Sequence, residues 1–174
     1  MQLKEAITLI ENDSLTITDK QTWADLGCGT GLFTSALATL IAKGSLIYAV
    51  DDDASTLTQI VPTDRVNIKT LVSDFTVPLP LTGLDGILMA NSLHYVKEKT
   101  GFINKVLAYM KPASQFIIVE YDSDRPVNKW VPYPISFHSL LKLFSGLGYT
   151  SVQKINEQPS VYNNGNIYSA LIRR

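Results

Sequence analysis

The chain has 174 residues, of which 45% are hydrophobic and 18% charged, and its formal net charge is −1. This composition is typical of one globular domain, expected to span residues 1–174 without a cap domain, and the absence of a basic cluster argues against a nucleic-acid partner. The single cysteine, Cys28, excludes an internal disulfide. The sequence has neither a signal-peptide core nor an apolar run near about 18 residues, so we expect a cytoplasmic protein with no membrane partner.

Short apolar runs alternate with longer helical patterns along most of the chain. A short amphipathic helix is predicted first, at Leu3–Ile10, because Leu3, Ile7 and Ile10 share one helical face. The apolar runs then predict five strands, at residues 22–26, 44–50, 66–72, 86–90 and 116–121. The helical patterns between and after them predict four helices, at residues 32–42, 55–60, 97–110 and 136–147.

The pattern changes near the C-terminus, where two strands follow each other without a helix. They are predicted at residues 149–155 and 167–172, and Asn164-Gly165 between them is a turn signal. We therefore expect a three-layer, Rossmann-like α/β fold. Its doubly wound sheet would be mostly parallel, with seven strands in the order 3-2-1-4-5-7-6 and an antiparallel last strand.

The stretch DLGCGTG, from Asp25 to Gly31, joins the first predicted strand to the first long helix. Three glycines in five positions exceed what a plain tight turn needs, and ligands of open parallel sheets bind at this edge. The string lacks the Gly-x-x-x-x-Gly-Lys-Ser/Thr pattern of a P-loop. Its Gly-x-Gly-x-Gly spacing also differs from the dinucleotide fingerprint, so we expect a ligand without phosphates at this loop.

An acidic residue, Asp51, ends the second predicted strand, 20 positions after Gly31. A carboxylate there can accept hydrogen bonds from both hydroxyls of a ribose. By itself such an acid is often only a surface or helix-capping residue. Together with the glycine loop, it indicates a nucleoside ligand.

DLGCGTG followed by AVDDD resembles the first two motifs of class I S-adenosylmethionine-dependent methyltransferases, and the similarity extends over Thr22–Ile172. The resemblance implies S-adenosyl-L-methionine as cofactor. In that family the glycine loop packs on the methionine part, the acid before it orients the amino group, and the acid after strand two binds the ribose. Adenine is contacted after strand three, and the loop after strand four lies near the methionine end. Carried over to this sequence, the cofactor residues are Asp25, Gly27, Gly29, Gly31, Asp51, Asp52, Asp74, Phe75 and Asn91.

Asp52 departs from the family pattern, because the residue after the ribose acid is usually apolar and packs on adenine. The run Asp51-Asp52-Asp53 also resembles the start of a calcium loop. An EF-hand would need glycine at position 56 and glutamate at position 62, where this sequence has Thr56 and Pro62. We therefore expect no metal and interpret Asp53 as a cap of the next helix.

A second similarity covers residues 120–137, EYDSDRPVNKWVPYPISF, which resemble a string in small bacterial methyltransferase-like proteins. That resemblance implies a bacterial relative and names no substrate.

The methyl acceptor is expected beyond the ends of strands four and five. His94, Tyr121 and Asp122 are candidate catalytic residues, His94 because its ordinary pKa suits a general base. Each has a structural alternative: packing for His94, and strand-end polarity for the other two. The candidate substrate-binding residues are Tyr95, Arg125, Trp130 and Tyr133, and the proline-rich loop that carries the last three could instead cover a sheet edge or a subunit contact.

The sequence thus predicts a methyltransferase acting on an unidentified acceptor, expected to be a small molecule, with a homodimer as one way to complete the pocket. The alternative is a catalytically silent S-adenosylmethionine-binding sensor or partner subunit. A nicotinamide-dependent enzyme is disfavoured by the glycine spacing.

Overall fold

A computed structural model describes residues 1–127, 129–160 and 165–174. Its helices are α1 Leu3–Ile10, α2 Leu32–Leu40, α3 Ala54–Leu57, α4 Lys99–Val106 and α5 Phe137–Gly146. Its strands are β1 Thr22–Leu26, β2 Leu46–Asp51, β3 Asn67–Val72, β4 Leu84–Ala90, β5 Met110–Tyr121, β6 Ser151–Pro159 and β7 Asn166–Arg173. Two 3₁₀ turns, Leu93–Tyr95 and Leu107–Tyr109, precede and follow α4. None of the helices in the described residues has the length and apolar character needed to cross a bilayer.

The seven strands form one sheet in the order β3-β2-β1-β4-β5-β7-β6, which confirms the predicted topology. The pairs among β1 to β5 are parallel, whereas β7 runs antiparallel to both β5 and β6. Each face of the sheet carries its own buried apolar cluster. Residues of α4 and α5 fill one cluster and residues of α1 and α2 the other, which gives the expected three layers.

Several predicted boundaries are wrong, and the largest error concerns β5. The helix predicted at residues 97–110 ends at Val106, tightens into the 3₁₀ turn, and becomes extended at Met110. Met110 already pairs with Leu84 of β4, and the ladder resumes at Gln115 opposite Gly86. Residues 110–114, MKPAS, therefore contain an irregularity inside β5, where Ser114 Oγ donates to Lys111 O at 2.6 Å.

Smaller errors affect the ends of the other elements. The helix α3 is one turn only, and β6 begins at Ser151 and runs to Pro159 because its pairing with β7 continues that far. The predicted Asn164-Gly165 turn lies partly outside the described residues. The N-terminus of α5 follows the sequence signal, since Ser136 Oγ accepts a hydrogen bond from Ser139 N at 3.2 Å.

Gly86 gives a test of the packing in the centre of the sheet. A Cβ at this position would lie 2.6 Å from Cε3 of the fully buried Trp23, and closer still to two other ring carbons. We expect Gly86→Ala to lower the free energy of unfolding by about 3 kcal/mol, since overpacking a rigid core site costs this much. The matched control, Gly101→Ala in α4, meets open space and should raise it by about 0.5–1 kcal/mol. Urea unfolding followed by circular dichroism distinguishes the two, and equal midpoints for Gly86→Ala and wild type would contradict the prediction.

Candidate functional site

A cavity of about 990 Å³ lies at the carboxyl edge of the sheet, where β1 to β4 end. Parallel strands bring the residues that follow them to this shared edge, which is where open α/β sheets bind ligands. All but one of the predicted cofactor residues border the cavity: Asp25, Gly27, Gly29, Asp51, Asp52, Asp74, Phe75 and Asn91. The exception, Gly31, is the N-cap of α2, and a Cβ there would come within 2.7 Å of the Ile60 side chain.

The glycine loop combines left-handed backbone with close packing. Gly27 has φ of +76°, and a Cβ there would lie 2.6 Å from Cβ of Ser92, so a larger residue would displace the loop after β4. Gly29 has φ of +52° and faces open space, so the cavity extends up to its backbone. The loop therefore leaves room for a ligand at Gly29, and at Gly27 the loop itself packs against the protein.

Asp51 connects the end of β2 to the glycine loop. Its Oδ2 accepts a hydrogen bond from Gly29 N at 2.7 Å, and its Oδ1 accepts one from Asp53 N at 3.1 Å. Gly27 N and Cys28 N donate to the carbonyl oxygen of Val50, at 2.8 and 3.0 Å. The carboxylate thus organises the loop at the position predicted to bind a ribose.

Asp25 is a fully buried carboxylate at the entrance of the same loop. Its Oδ2 accepts a hydrogen bond from Thr34 Oγ1 at 2.6 Å, whereas Oδ1 has no partner among the described residues. Burial raises the pKa of Asp25 from 3.8 to about 7, with a smaller contribution in the same direction from the Asp51 charge. A buried acceptor without a partner is costly, so this oxygen is suited to a cationic donor from a ligand.

Asn91 follows β4 and holds a second unpaired acceptor. It has φ of +54° and is the only non-glycine residue with positive φ in the described part of the chain. Its backbone N–H donates to Val119 O at 2.8 Å, which fixes the loop, while its buried Oδ1 has no partner among the described residues. Unusual backbone conformations of this kind concentrate at functional sites. Asp25 and Asn91, which both border the cavity, therefore each carry a buried acceptor without a partner among the described residues, and such acceptors suit N–H or O–H donors of a ligand.

Asp74 and Phe75 follow β3 and border the same cavity, and Cε1 of Phe75 would lie 3.0 Å from a Cβ placed on Gly27. Asp74 Oδ1 accepts hydrogen bonds from both the backbone N–H and Oγ1 of Thr76, each at 2.7 Å. The Phe75 ring packs edge-on against Phe102, with 5.8 Å between ring centroids. These contacts fix the two residues beside the cavity at the position expected to contact adenine.

His94 does not border the cavity, contrary to its candidacy as a general base. Its Nδ1 lies 2.7 Å from Glu120 Oε2, its backbone N–H donates to Glu120 Oε1 at 3.0 Å, and both side chains are buried. The ring also packs on Tyr95, with centroids 4.4 Å apart. His94 therefore positions the turn after β4, and the sequence could not show this because Glu120 is 26 residues away.

Asp122 and Tyr121 are neighbours in sequence, but their side chains have different surroundings in the structure. Asp122 Oδ1 accepts a hydrogen bond from Phe137 N at 2.9 Å, and its Oδ2 pairs with Lys154 at 3.5 Å, so this acid holds the start of α5 and borders neither large cavity. Tyr121 borders a second cavity described below. Of the two, Tyr121 alone keeps a position suited to contact a substrate.

The four candidate substrate residues are also divided. Tyr95 and Trp130 border the large cavity, and Trp130 is 77% exposed. Arg125 and Tyr133 do not border it. The backbone N–H of Tyr133 donates to His94 O at 3.0 Å, so Tyr133 ties the proline-rich loop to the turn after β4.

A second cavity, of about 440 Å³, adjoins the first at Leu32, Phe33 and Asn91, which border both. Besides Tyr121, its walls include residues at the start of α1 and the end of β6, which no sequence motif had indicated. The predicted topology contained one indication of these residues. Because β7 runs antiparallel to both β5 and β6, β6 ends at the same edge of the sheet as β1 to β4. Locating α1 there requires its packing on α2, which the sequence pattern does not specify.

Comparison with known proteins identifies a family. The sequence profile of a family described as a methyltransferase domain matches residues 24–118, more than half of the chain. No curated protein matches the sequence significantly.

Solved structures share the fold at low sequence identity. TehB from Haemophilus influenzae aligns with a TM-score of 0.70 at 18% identity, over 93% of this chain and 60% of that chain. A Burkholderia thailandensis 1,6-didemethyltoxoflavin-N1-methyltransferase, solved with 1,6-didemethyltoxoflavin and S-adenosylhomocysteine bound, aligns with a TM-score of 0.71 at 18% identity, over 99% and 77%. An S-adenosylmethionine-dependent methyltransferase from Aquifex aeolicus aligns with a TM-score of 0.62 at 18% identity, over 99% of both chains. This chain therefore spans less than two thirds of the Haemophilus protein, and at these identities the similarity is one of fold. Because the family profile covers more than half of the sequence, the chain belongs to the methyltransferase domain family.

Proposed function

We propose that this protein transfers the methyl group of S-adenosylmethionine to a small-molecule acceptor. The observation that carries the proposal is the pair of unpaired acceptors, Asp25 Oδ1 and Asn91 Oδ1, on residues that border one cavity together with Asp51 and Asp74. The methionine ammonium would be held by Asp25, the ribose by Asp51, and the adenine by Asp74 and Phe75. The adjoining cavity of about 440 Å³ is of the size that small-molecule sites have.

The chain's contribution to the reaction is mainly positioning. When bound, S-adenosylmethionine supplies a methyl group already activated by the positive sulfur. The fixed loops after β1 and β4 orient the methionine end toward Asn91, and the His94–Glu120 pair keeps the second of these loops in place. Among the described residues that border the first cavity there is no histidine, so we attribute catalysis to alignment and exclusion of water.

Calorimetric titration with S-adenosylhomocysteine tests the cofactor part of the proposal, and we expect micromolar binding and no binding of NAD. Absence of binding at millimolar S-adenosylhomocysteine would contradict it. Transfer of labelled methyl into small molecules of a cell extract tests the second part. Binding without any transfer would favour the silent sensor or partner subunit instead.

Replacing Asp52 is predicted to strengthen cofactor binding, whereas most substitutions in a binding site weaken it. It is exposed, borders the cavity and stands where the family it resembles usually has an apolar residue against adenine. We expect Asp52→Leu to tighten S-adenosylhomocysteine binding about fivefold, because covering part of the adenine ring contributes about 1 kcal/mol. The control Asp64→Leu removes the same charge at an exposed position away from the cavity and should leave the Kd unchanged. Weaker binding by Asp52→Leu would show that the carboxylate itself holds the cofactor.

A further inference from the structure

The second cavity adjoins the first. Leu32 and Phe33 at the start of α2, together with Asn91 after β4, border both cavities. If the methionine end of the cofactor lies between Asp25 and Asn91, a molecule in the second cavity meets it at Asn91. The inference that follows rests on the proposed function for this reason.

The lining of the second cavity is mostly apolar. Phe33, Tyr121, Pro159 and Ile167 supply aromatic and aliphatic surface. Among the described lining residues none is Lys, Arg or His, and the one carboxylate, Glu5, already accepts a hydrogen bond from Gln2 N at 2.6 Å. The α-amino group of Met1 is the one cationic group among the described lining residues and is matched by the single carboxylate of Glu5, so a charged acceptor would lose hydration without a net attraction. The lining therefore favours an uncharged molecule.

Asn91 adds a requirement for the reacting atom. Asn91 borders both cavities, and its buried Oδ1 is an acceptor without a partner among the described residues. The backbone that carries it is held at φ of +54° by the Asn91 N to Val119 O hydrogen bond, so the side chain is presented from a fixed base. A nucleophilic nitrogen or oxygen that carries a hydrogen would donate a hydrogen bond to this oxygen. A nucleophilic atom without a hydrogen would leave the oxygen unpaired.

We propose that the second cavity is the acceptor chamber, and that it takes an uncharged, predominantly apolar small molecule whose nucleophilic N–H or O–H donates to Asn91 Oδ1. In the transfer, the lone pair of the nucleophile forms the new bond to the methyl carbon. The carbon–sulfur bond breaks with its electrons remaining on sulfur, and the proton of the nucleophile is released to solvent. Asn91 orients the lone pair and takes no proton.

Three fragments probe this chamber directly: indole, N-methylindole and indole-3-carboxylate. Their affinities are measured by ligand-observed NMR, with and without saturating S-adenosylhomocysteine. We expect indole to bind wild type, N-methylindole to bind at least fivefold more weakly, and the carboxylate at least tenfold more weakly. Failure of indole to bind, or equal affinities for indole and the carboxylate, would overturn the proposal.

Variants locate the binding and test the role of Asn91. Gln158→Trp fills the chamber and should weaken indole binding at least tenfold, whereas Gln153→Trp, the same change at an exposed position of β6 outside the chamber, should not. Asn91→Gly tolerates the positive φ and should give indole and N-methylindole the same affinity. If Asn91→Gly still prefers indole, the donor is recognised elsewhere and the proposal fails. Calorimetry with S-adenosylhomocysteine is a separate measurement, so loss of cofactor binding in wild type would refute the proposed function independently of the fragment results.

Discussion

Replacing Asp25 by asparagine should make the cofactor-free protein more stable at pH 8. The carboxylate is fully buried and its Oδ1 has no partner among the described residues, so the charged form is unfavourable in the folded protein. Asparagine has nearly the same shape and can still accept the hydrogen bond from Thr34 Oγ1. The substitution removes the charge and keeps the packing.

The sign of the pH dependence follows from the raised pKa. Burial raises the pKa of Asp25 from 3.8 to about 7 in the folded chain, so between these values the folded protein retains a proton that the unfolded chain has lost. Stability therefore falls as pH rises from about 4 to 7, by on the order of 4 kcal/mol in total. We expect Asp25→Asn to match wild type near pH 4 and to exceed it by most of this amount at pH 8.

Urea unfolding at pH 4, 6 and 8 measures this effect. Asp64→Asn, which removes the same charge from an exposed site, serves as the control and should change stability little at any pH. Equal stability of Asp25→Asn and wild type at pH 8 would show that Asp25 is solvated or paired in the folded protein.

The same substitution should weaken cofactor binding. If the asparagine oxygen keeps the Thr34 hydrogen bond, its NH₂ group faces the cavity and opposes the methionine ammonium. We expect at least a 100-fold loss of S-adenosylhomocysteine affinity, about 2.7 kcal/mol, which is in the range for removing a charge-assisted bond. Wild-type affinity should rise about tenfold between pH 6 and pH 8 as Asp25 ionises, and Asp25→Asn should lose this dependence. Calorimetry at pH 6 and pH 8 measures these affinities. If the affinity of the wild-type protein did not change with pH, a group other than Asp25 would bind the methionine ammonium.

The sheet and the cofactor side of the site could be predicted because both depend on local patterns. Alternating apolar runs and helical segments specify a parallel sheet, and residues after parallel strands meet at one edge. Asp51 and Asp74 accordingly border the same cavity as Gly27 and Gly29, although they lie far apart in sequence. The start of β5 was not predicted. Met110 belongs to the strand through its pairing with Leu84, and no local sequence pattern shows which strand is the partner.

The acceptor side depends on long-range contacts, and there sequence reasoning was much weaker. His94 was a candidate base because of its residue type, and the structure pairs it with the buried Glu120 and places it outside the lining of both large cavities. The chamber beside Asn91 is lined by Glu5 of α1 and Gln158 of β6, which lie far apart in the sequence. Such juxtapositions leave no periodicity or spacing in the sequence.

Asp51 is expected to show the reverse of the stability effect at Asp25, although both substitutions weaken cofactor binding. Its two oxygens accept hydrogen bonds from Gly29 N at 2.7 Å and from Asp53 N at 3.1 Å. In Asp51→Asn one of these N–H groups must face the amide NH₂, which is also a donor. We expect the free energy of unfolding to fall by about 1–2 kcal/mol, because a bond to a charged acceptor is lost and a donor is left unpaired. The glycine loop should also lose its anchor.

The loss of affinity at Asp51 should be large because two effects combine. The ribose would lose one of two carboxylate acceptors, and the loosened loop would have to be ordered again on binding, so we expect at least a 100-fold weaker Kd for S-adenosylhomocysteine. Asp53→Asn removes the same charge two residues away, where asparagine caps α3 through Ser55 N as well as aspartate does, and should change the Kd less than threefold. Hydrogen exchange of the Gly29 amide reports the loop itself and should accelerate in Asp51→Asn alone. Equal losses of affinity in both variants, with unchanged exchange at Gly29, would mean that the negative potential of the acidic run binds the cofactor and that the geometry of Asp51 does not.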